Sequence, residues 1–94
     1  MRLVGLILLQ EFSVKHADVR SQIDAWVSEV KDSVWRTSTD VKARFPTASF
    51  LGDRRVIFNL KGNRYRLDTK ISFEAQVVFV KRIGTHEDYS KWKF

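Results

Sequence analysis

From residue 55 onward the apolar positions recur every second residue. Val56, Phe58 and Leu60 share one face, and Arg55, Ile57, Asn59 and Lys61 the other, which predicts a strand over 54–61. Lys61-Gly62-Asn63 reads as a turn, in which Gly62 can take the positive φ of a tight hairpin. A second strand is predicted over 63–73, with Tyr65, Leu67, Thr69, Ile71 and Phe73 facing one way and Arg64, Arg66, Asp68, Lys70 and Ser72 the other. Glu74-Ala75-Gln76 turns the chain again. The apolar run Val77, Val78, Phe79, Val80 then predicts a well-buried third strand over 76–83.

The N-terminal half has the longer period of helices. Met1 to Val4 predicts a short strand, Gly5 a break, and Leu6 to Lys15 a first helix. Asp18 is the expected N-cap of a second helix over 19–33, whose Val19, Ile23, Trp26, Val27, Val30 and Val34 recur at three- and four-residue steps as one buried stripe. Thr37 and Asp40 have the spacing of a capping box and open a short helix, Ser38 to Arg44. Pro46 stops it near Phe45, and Thr47 to Gly52 reads as a loop or short edge strand. The class is therefore α+β: helices on one face of a three-stranded antiparallel meander, with Arg64, Arg66 and Lys70 on an opposite face left open.

At 94 residues the chain suits one domain, residues 1–94. It lacks cysteine, which removes disulfides, thiol catalysis and Cys-based zinc sites and fits a reducing cytoplasm. Leu3–Leu9 is too short to span a bilayer and has no small-residue cleavage pattern after it, so no membrane role is expected. Net charge changes the picture more. Residues 1–49 carry seven Lys/Arg and six Asp/Glu, whereas residues 50–94 carry ten and five. Basic charge gathered in the strand-rich half points to a polyanion, with an ordinary solvated surface as the plainer alternative.

The predicted third strand ends in a chemically dense segment. Gly84 is followed by His86, Tyr89, Lys91, Trp92 and Phe94: an imidazole and a phenol able to move protons, an amine for phosphate, and aromatics on which a base can stack. Six Lys/Arg between Arg54 and Lys70 can track a phosphate backbone beside it. His86-Glu87-Asp88 is a poor metal motif, because adjacent residues seldom converge on one ion; no metal and no cofactor is expected. Neither a Ser-His-Asp arrangement nor a Gly-rich phosphate loop is present.

Four stretches in one order resemble the HigB branch of the RelE-like toxins: Lys42-Ala43-Arg44-Phe45-Pro46; Val56-Ile57-Phe58-Asn59; Gly62-Asn63-Arg64-Tyr65-Arg66-Leu67; and Gly84-Thr85-His86-Glu87-Asp88-Tyr89. The resemblance implies a compact RelE-like fold, with N-terminal helices packed on a twisted antiparallel sheet. It implies cleavage of mRNA, in many relatives on the translating ribosome. It implies a helix-turn-helix, HigA-like antitoxin, with operator DNA reached only through the toxin–antitoxin complex. By the same resemblance Arg66 matches the arginine at the scissile phosphate, and His86 and Tyr89 match the C-terminal imidazole or basic group and the tyrosine. The family often continues Tyr-Asp-Lys where this chain has Tyr89-Ser90-Lys91. Its first helix usually opens with a polar cap, where this chain has Gly5-Leu6-Ile7-Leu8-Leu9.

The resulting expectation is a metal-independent endoribonuclease in which the RNA's own 2′-hydroxyl attacks the adjacent phosphate. Arg66 serves the phosphate, His86 transfers a proton, and Tyr89 stacks or donates a proton. Arg55, Lys61, Arg64, Lys70, Arg82 and Lys91 hold the RNA backbone. Two alternatives stand beside it. A non-catalytic RNA- or ribosome-binding module explains the charge but not His86 with Tyr89. A structural subunit docking its tail on a protein explains the aromatics but not the basic row.

Overall fold

The structure, a computed structural model, describes all 94 residues. In chain order it contains β1 (Arg2–Val4), α1 (Leu6–Lys15), a 3-10 turn (Ala17–Val19), α2 (Arg20–Asp32), α3 (Ser38–Arg44), β2 (Ser49–Phe50), β3 (Arg55–Leu60), β4 (Tyr65–Ser72), β5 (Val77–Thr85) and α4 (His86–Lys91). The expected meander is the middle of a five-stranded sheet in the order β1-β5-β4-β3-β2. β1 runs parallel to β5, with Leu3 opposite Val78, so the sheet is mixed rather than wholly antiparallel. A parallel neighbour needs a long crossover, and the helical first half of the chain supplies it.

The core lies between the sheet and α1 and α2. Ile23, Trp26 and Val30 of α2 are buried there with Val56, Phe58, Leu67, Ile71 and Val78. Phe58 is its centre, packed edge-on against Phe45 at 5.1 Å and Trp26 at 5.3 Å, with Trp35 stacked at 6.4 Å. Each such side chain contributes roughly 1.5–3 kcal/mol by leaving water. α3 ends at Arg44, as Pro46 requires, and Asp40 accepts from the backbone N–H of Thr37 as a capping box should.

Three expectations are corrected. Asp18 does not cap α2: the cap position falls on Val19, which has helical dihedrals and no side-chain bond. Asp18 instead turns toward β4, where its carboxylate accepts from the Tyr65 hydroxyl at 2.8 Å. Val34 is 68% exposed, because α2 has already ended at Asp32; the neighbouring Trp35 takes the core position at 2% exposure. The sheet face opposite the core is not left open. Ile57 and Asp68 are buried, and the C-terminal α4 with its aromatic tail contributes to that cover.

Two departures from regular geometry bring α4 to its place. Thr69 pairs with Val80 but Asp68 pairs with Arg82, so Lys81 is an extra residue in β5. This bulge flips the alternation beyond it, aiming Arg82 at the same face as Asp68 and setting Gly84 opposite Arg66. Gly84 then allows the chain to fold back. A Cβ there would lie 2.8 Å from the Asp88 Cβ and 3.0 Å from the Trp92 ring. α4 is secured at its start by a second capping box: Asp88 N–H donates to Thr85 Oγ1 at 3.1 Å, and Thr85 N–H to Asp88 Oδ2 at 3.0 Å.

Candidate active site

β4 and α4 bring two of the expected groups together. Arg66 leaves β4 on the face away from the core, and its guanidinium lies over the Tyr89 ring at 5.1 Å. Its Nη1 donates to the Asn63 carbonyl at 2.6 Å, which fixes the side chain along the β3–β4 turn. No carboxylate pairs with Arg66. His86 is three residues before Tyr89, so the two lie on one side of the helix. Its side chain is exposed, and its backbone N–H donates to the Arg64 carbonyl at 2.9 Å, tying the start of α4 to the start of β4.

The six other basic candidates divide by what already neutralises them. Lys70 meets Asp53 at 3.3 Å, and Lys91 meets Glu87 at 4.0 Å, both at the surface. Surface pairs of this kind are worth about 0–1 kcal/mol, so a phosphate can take over either lysine at small cost. Lys61 Nζ donates to Asp18 Oδ2 and to its backbone carbonyl, both at 3.2 Å, and Arg64 stands 3.7 Å from the same carboxylate. Arg55 and Arg82 are different. Both converge on Asp68, which is fully buried: Arg55 Nε donates to Oδ1 at 3.0 Å and its Nη2 pairs with Oδ2, while Arg82 Nε donates to Oδ2 at 2.7 Å. Removing either would leave a buried charge short of a partner, which costs several kcal/mol.

Aromatic rings cover these two arginines. Arg82 lies over Trp92 at 4.5 Å and Phe94 at 5.0 Å, and Arg55 lies over Phe94 at 5.3 Å. Tyr89 packs on Trp92 edge-on at 5.7 Å, which links the ion cluster to the Arg66 stack.

On the core side of β4, Tyr65 and Asp18 form a second polar cluster with His16. His16 stacks on Phe12 at 4.2 Å and meets the Tyr65 ring edge-on at 5.5 Å. The Tyr65 hydroxyl, with the Lys61 ammonium behind it, holds the Asp18 carboxyl below its ordinary value; the same bond holds the Tyr65 phenol above its own. The Thr85 backbone N–H keeps Asp88 below the usual carboxylate value, so the cap of α4 is charged throughout the neutral range.

Sequence reading singled out Arg66, His86 and Tyr89 but missed the parts that arrange them. The Thr85-x-x-Asp88 spacing is the same capping signal recognised at Thr37 and Asp40, and it marks α4. Asp68 carried a cue too, as a lone carboxylate on an otherwise basic strand face. No group of His, Asp or Glu side chains is arranged to hold a metal ion. No helix is long and apolar enough to cross a membrane.

The helix-backed sheet thus presents Arg66, paired with no carboxylate, beside a short C-terminal helix that carries Tyr89. The sequence matches the HigB toxin family, the RelE-like toxic component of a toxin–antitoxin system, over residues 19–92, and the chain belongs to that family. It is 23% identical over 91 residues to the mRNA interferase toxin HigB of Escherichia coli K12, covering 95% of this chain and 88% of that protein. The mRNA interferase HigB proteins of Escherichia coli O157:H7 and Shigella flexneri match to the same extent.

Proposed function

We propose that this toxin is an endoribonuclease that cleaves mRNA, on the ribosome, by attack of a 2′-hydroxyl on the adjacent phosphate. The observation that carries the reading is Arg66, a cation paired with no carboxylate and stacked on Tyr89 at 5.1 Å. Its charge is available where negative charge builds on the phosphorane oxygens, and the aromatic ring limits its motion. The names of the three relatives support mRNA as substrate.

The reaction needs a base for the 2′-hydroxyl, a cation at the phosphate and an acid for the departing 5′-oxygen. Arg66 supplies the cation. His86 and Tyr89, one helical turn apart, are assigned to proton transfer and to stacking or proton donation. The nucleophile belongs to the RNA, so no catalytic Ser or Cys is required. Lys61, Arg64, Lys70 and Lys91 contact the RNA or ribosomal RNA backbone by exchanging exposed carboxylate partners for phosphates. Arg55 and Arg82 add positive potential from within their cluster with Asp68. A HigA-like antitoxin with a helix-turn-helix domain holds the toxin inactive and carries it to operator DNA.

The test is cleavage of ribosome-bound message with magnesium held at the level the ribosome itself requires and no other divalent ion supplied, followed by end-group analysis. A 2′,3′-cyclic phosphate and a 5′-hydroxyl are expected. Arg66→Ala should abolish most of the rate, and His86→Ala should lower it on the order of 10²-fold or more. Tyr89→Phe should be milder than Tyr89→Ala if the ring acts by stacking, and equally damaging if the hydroxyl moves a proton. A 5′-phosphate product would refute the mechanism.

A further inference from the structure

Asp68 is the one fully buried carboxylate in the chain, and it lies on the face of β4 that also presents Arg66. A charge is buried at this cost only when its partners are fixed, and here both partners are arginines reaching it from neighbouring strands. Arg55 comes from β3 and Arg82 from β5, and the bulge at Lys81 is what turns Arg82 toward it.

The far side of each guanidinium is used as well. Arg82 is covered by Trp92 and Phe94, Arg55 by Phe94, and Arg82 Nη2 donates to the Lys93 carbonyl at 3.3 Å. Every one of those contacts belongs to the residues just after α4. The helix itself has six residues, too short to persist alone. Its position is therefore set at both ends, by the Thr85–Asp88 cap at the start and by the arginine cluster at the finish. Between the two ends lies Tyr89, which touches both Trp92 and Arg66.

We propose that Asp68 is a positioning residue for RNA cleavage: it locks Arg55 and Arg82 as a cationic floor on which Trp92 and Phe94 lie, and so holds α4 where Tyr89 meets Arg66. Asp68 itself, buried beneath the guanidinium groups, touches no substrate. The part that concerns catalysis rests on the endoribonuclease reading above; the part that concerns α4 does not. The chemistry explains why the acid has to be charged. A neutral side chain would leave two guanidinium groups side by side without a counter-charge, and their repulsion would open the floor.

Asp68→Asn keeps the shape and removes the charge. Amide hydrogen exchange of the full chain should show residues 86–92 exchanging at least about tenfold faster, while β3 and β4 keep their protection. Cleavage should lose kcat by a comparable or larger factor, with KM for the message changed less than threefold. Trp92→Leu, which leaves the buried ion cluster intact, should give the same two effects and covers the case in which the Asp68 variant does not fold. Unchanged exchange in α4 in both variants would overturn the proposal. So would loss of protection spread evenly over the sheet in Asp68→Asn with α4 undisturbed in Trp92→Leu, since that is the signature of a merely structural carboxylate. Faster exchange in α4 together with a wild-type chain that cleaves no RNA would instead sink the endoribonuclease reading and leave the latch in place.

Discussion

Gly84→Ala asks how much of the site depends on the close approach of α4 to β5. Alanine is normally the better residue in a strand, and by restricting the unfolded chain it should stabilise by about 0.4–1 kcal/mol. The close contact opposes that gain. The new Cβ would meet the Asp88 Cβ at 2.8 Å and Asp88 Oδ2 at 2.9 Å, where ordinary contact begins at 3.4 Å. The first of these atoms moves only with the helix backbone, and the second is held by the Thr85 N–H. Relief therefore requires α4 to retreat by roughly half an ångström. Against that stand the capping box, worth about 1 kcal/mol, and the Trp92–Arg82 contact, worth about 0.5–1 kcal/mol at an exposed site. A strain of similar size empties the docked state, and each 1.4 kcal/mol is about a tenfold change in population. The main core is built without any residue of α4, so the melting temperature should move by only a few degrees while cleavage falls about tenfold or more. Amide exchange over residues 86–92, read beside the cleavage rate, is the assay. Full protection of α4 together with full activity would show that the helix absorbs the strain in place and that the approach at Gly84 does not set the site.

Tyr65→Phe should alter both ends of the stability–pH curve. Asp18 has a lowered folded value, so its contribution is full above the unfolded value of about 4 and lost as pH falls through the lowered folded one. Tyr65 has a raised one, so its contribution is full below the unfolded value of about 10 and lost as pH rises through the raised folded one. The variant should lose the alkaline slope attributable to Tyr65 and show a shallower acid one, measured as melting temperature against pH; identical slopes would contradict the assignment. Phe58→Ala should cost about 3–5 kcal/mol in chemical denaturation, because Trp26, Trp35 and Phe45 all pack on that ring. Lys70→Ala and Lys91→Ala should each raise KM for RNA and reduce its dependence on salt, with kcat nearly unchanged, as expected of phosphate contacts.

The fold was legible wherever one pattern had one cause. Period-two alternation located β3 and β4 to within two residues, because one face of each is buried against helices. The stripe Ile23, Trp26, Val30 located α2 for the same reason. Boundaries failed where local signals competed with distant partners. Asp18 has the composition of an N-cap, but the Tyr65 hydroxyl lies forty-seven residues away in sequence and 2.8 Å away in space, and the carboxylate follows it. The pairing of β1 with β5 has no local signal at all: three residues at the start of the chain reveal nothing of which strand they join, or in which direction.

The site was harder to read, because counting charges cannot say which of them are already spent. Arg55, Arg66 and Arg82 look alike in the sequence, yet two converge on one buried carboxylate and the third faces no carboxylate. What separates them is the register of β5, and the sequence holds one clue to it. Val78 and Val80 keep the period of two, but the next apolar residue is Ile83, an odd step further on. A strand with a single buried face accommodates an odd step only by an extra residue. Reading that step as a bulge turns Arg82 to the side of Asp68 and Gly84 to the side of Arg66. From there the return of α4 across the sheet follows, because glycine is the one residue that leaves Asp88 and Trp92 the space they occupy.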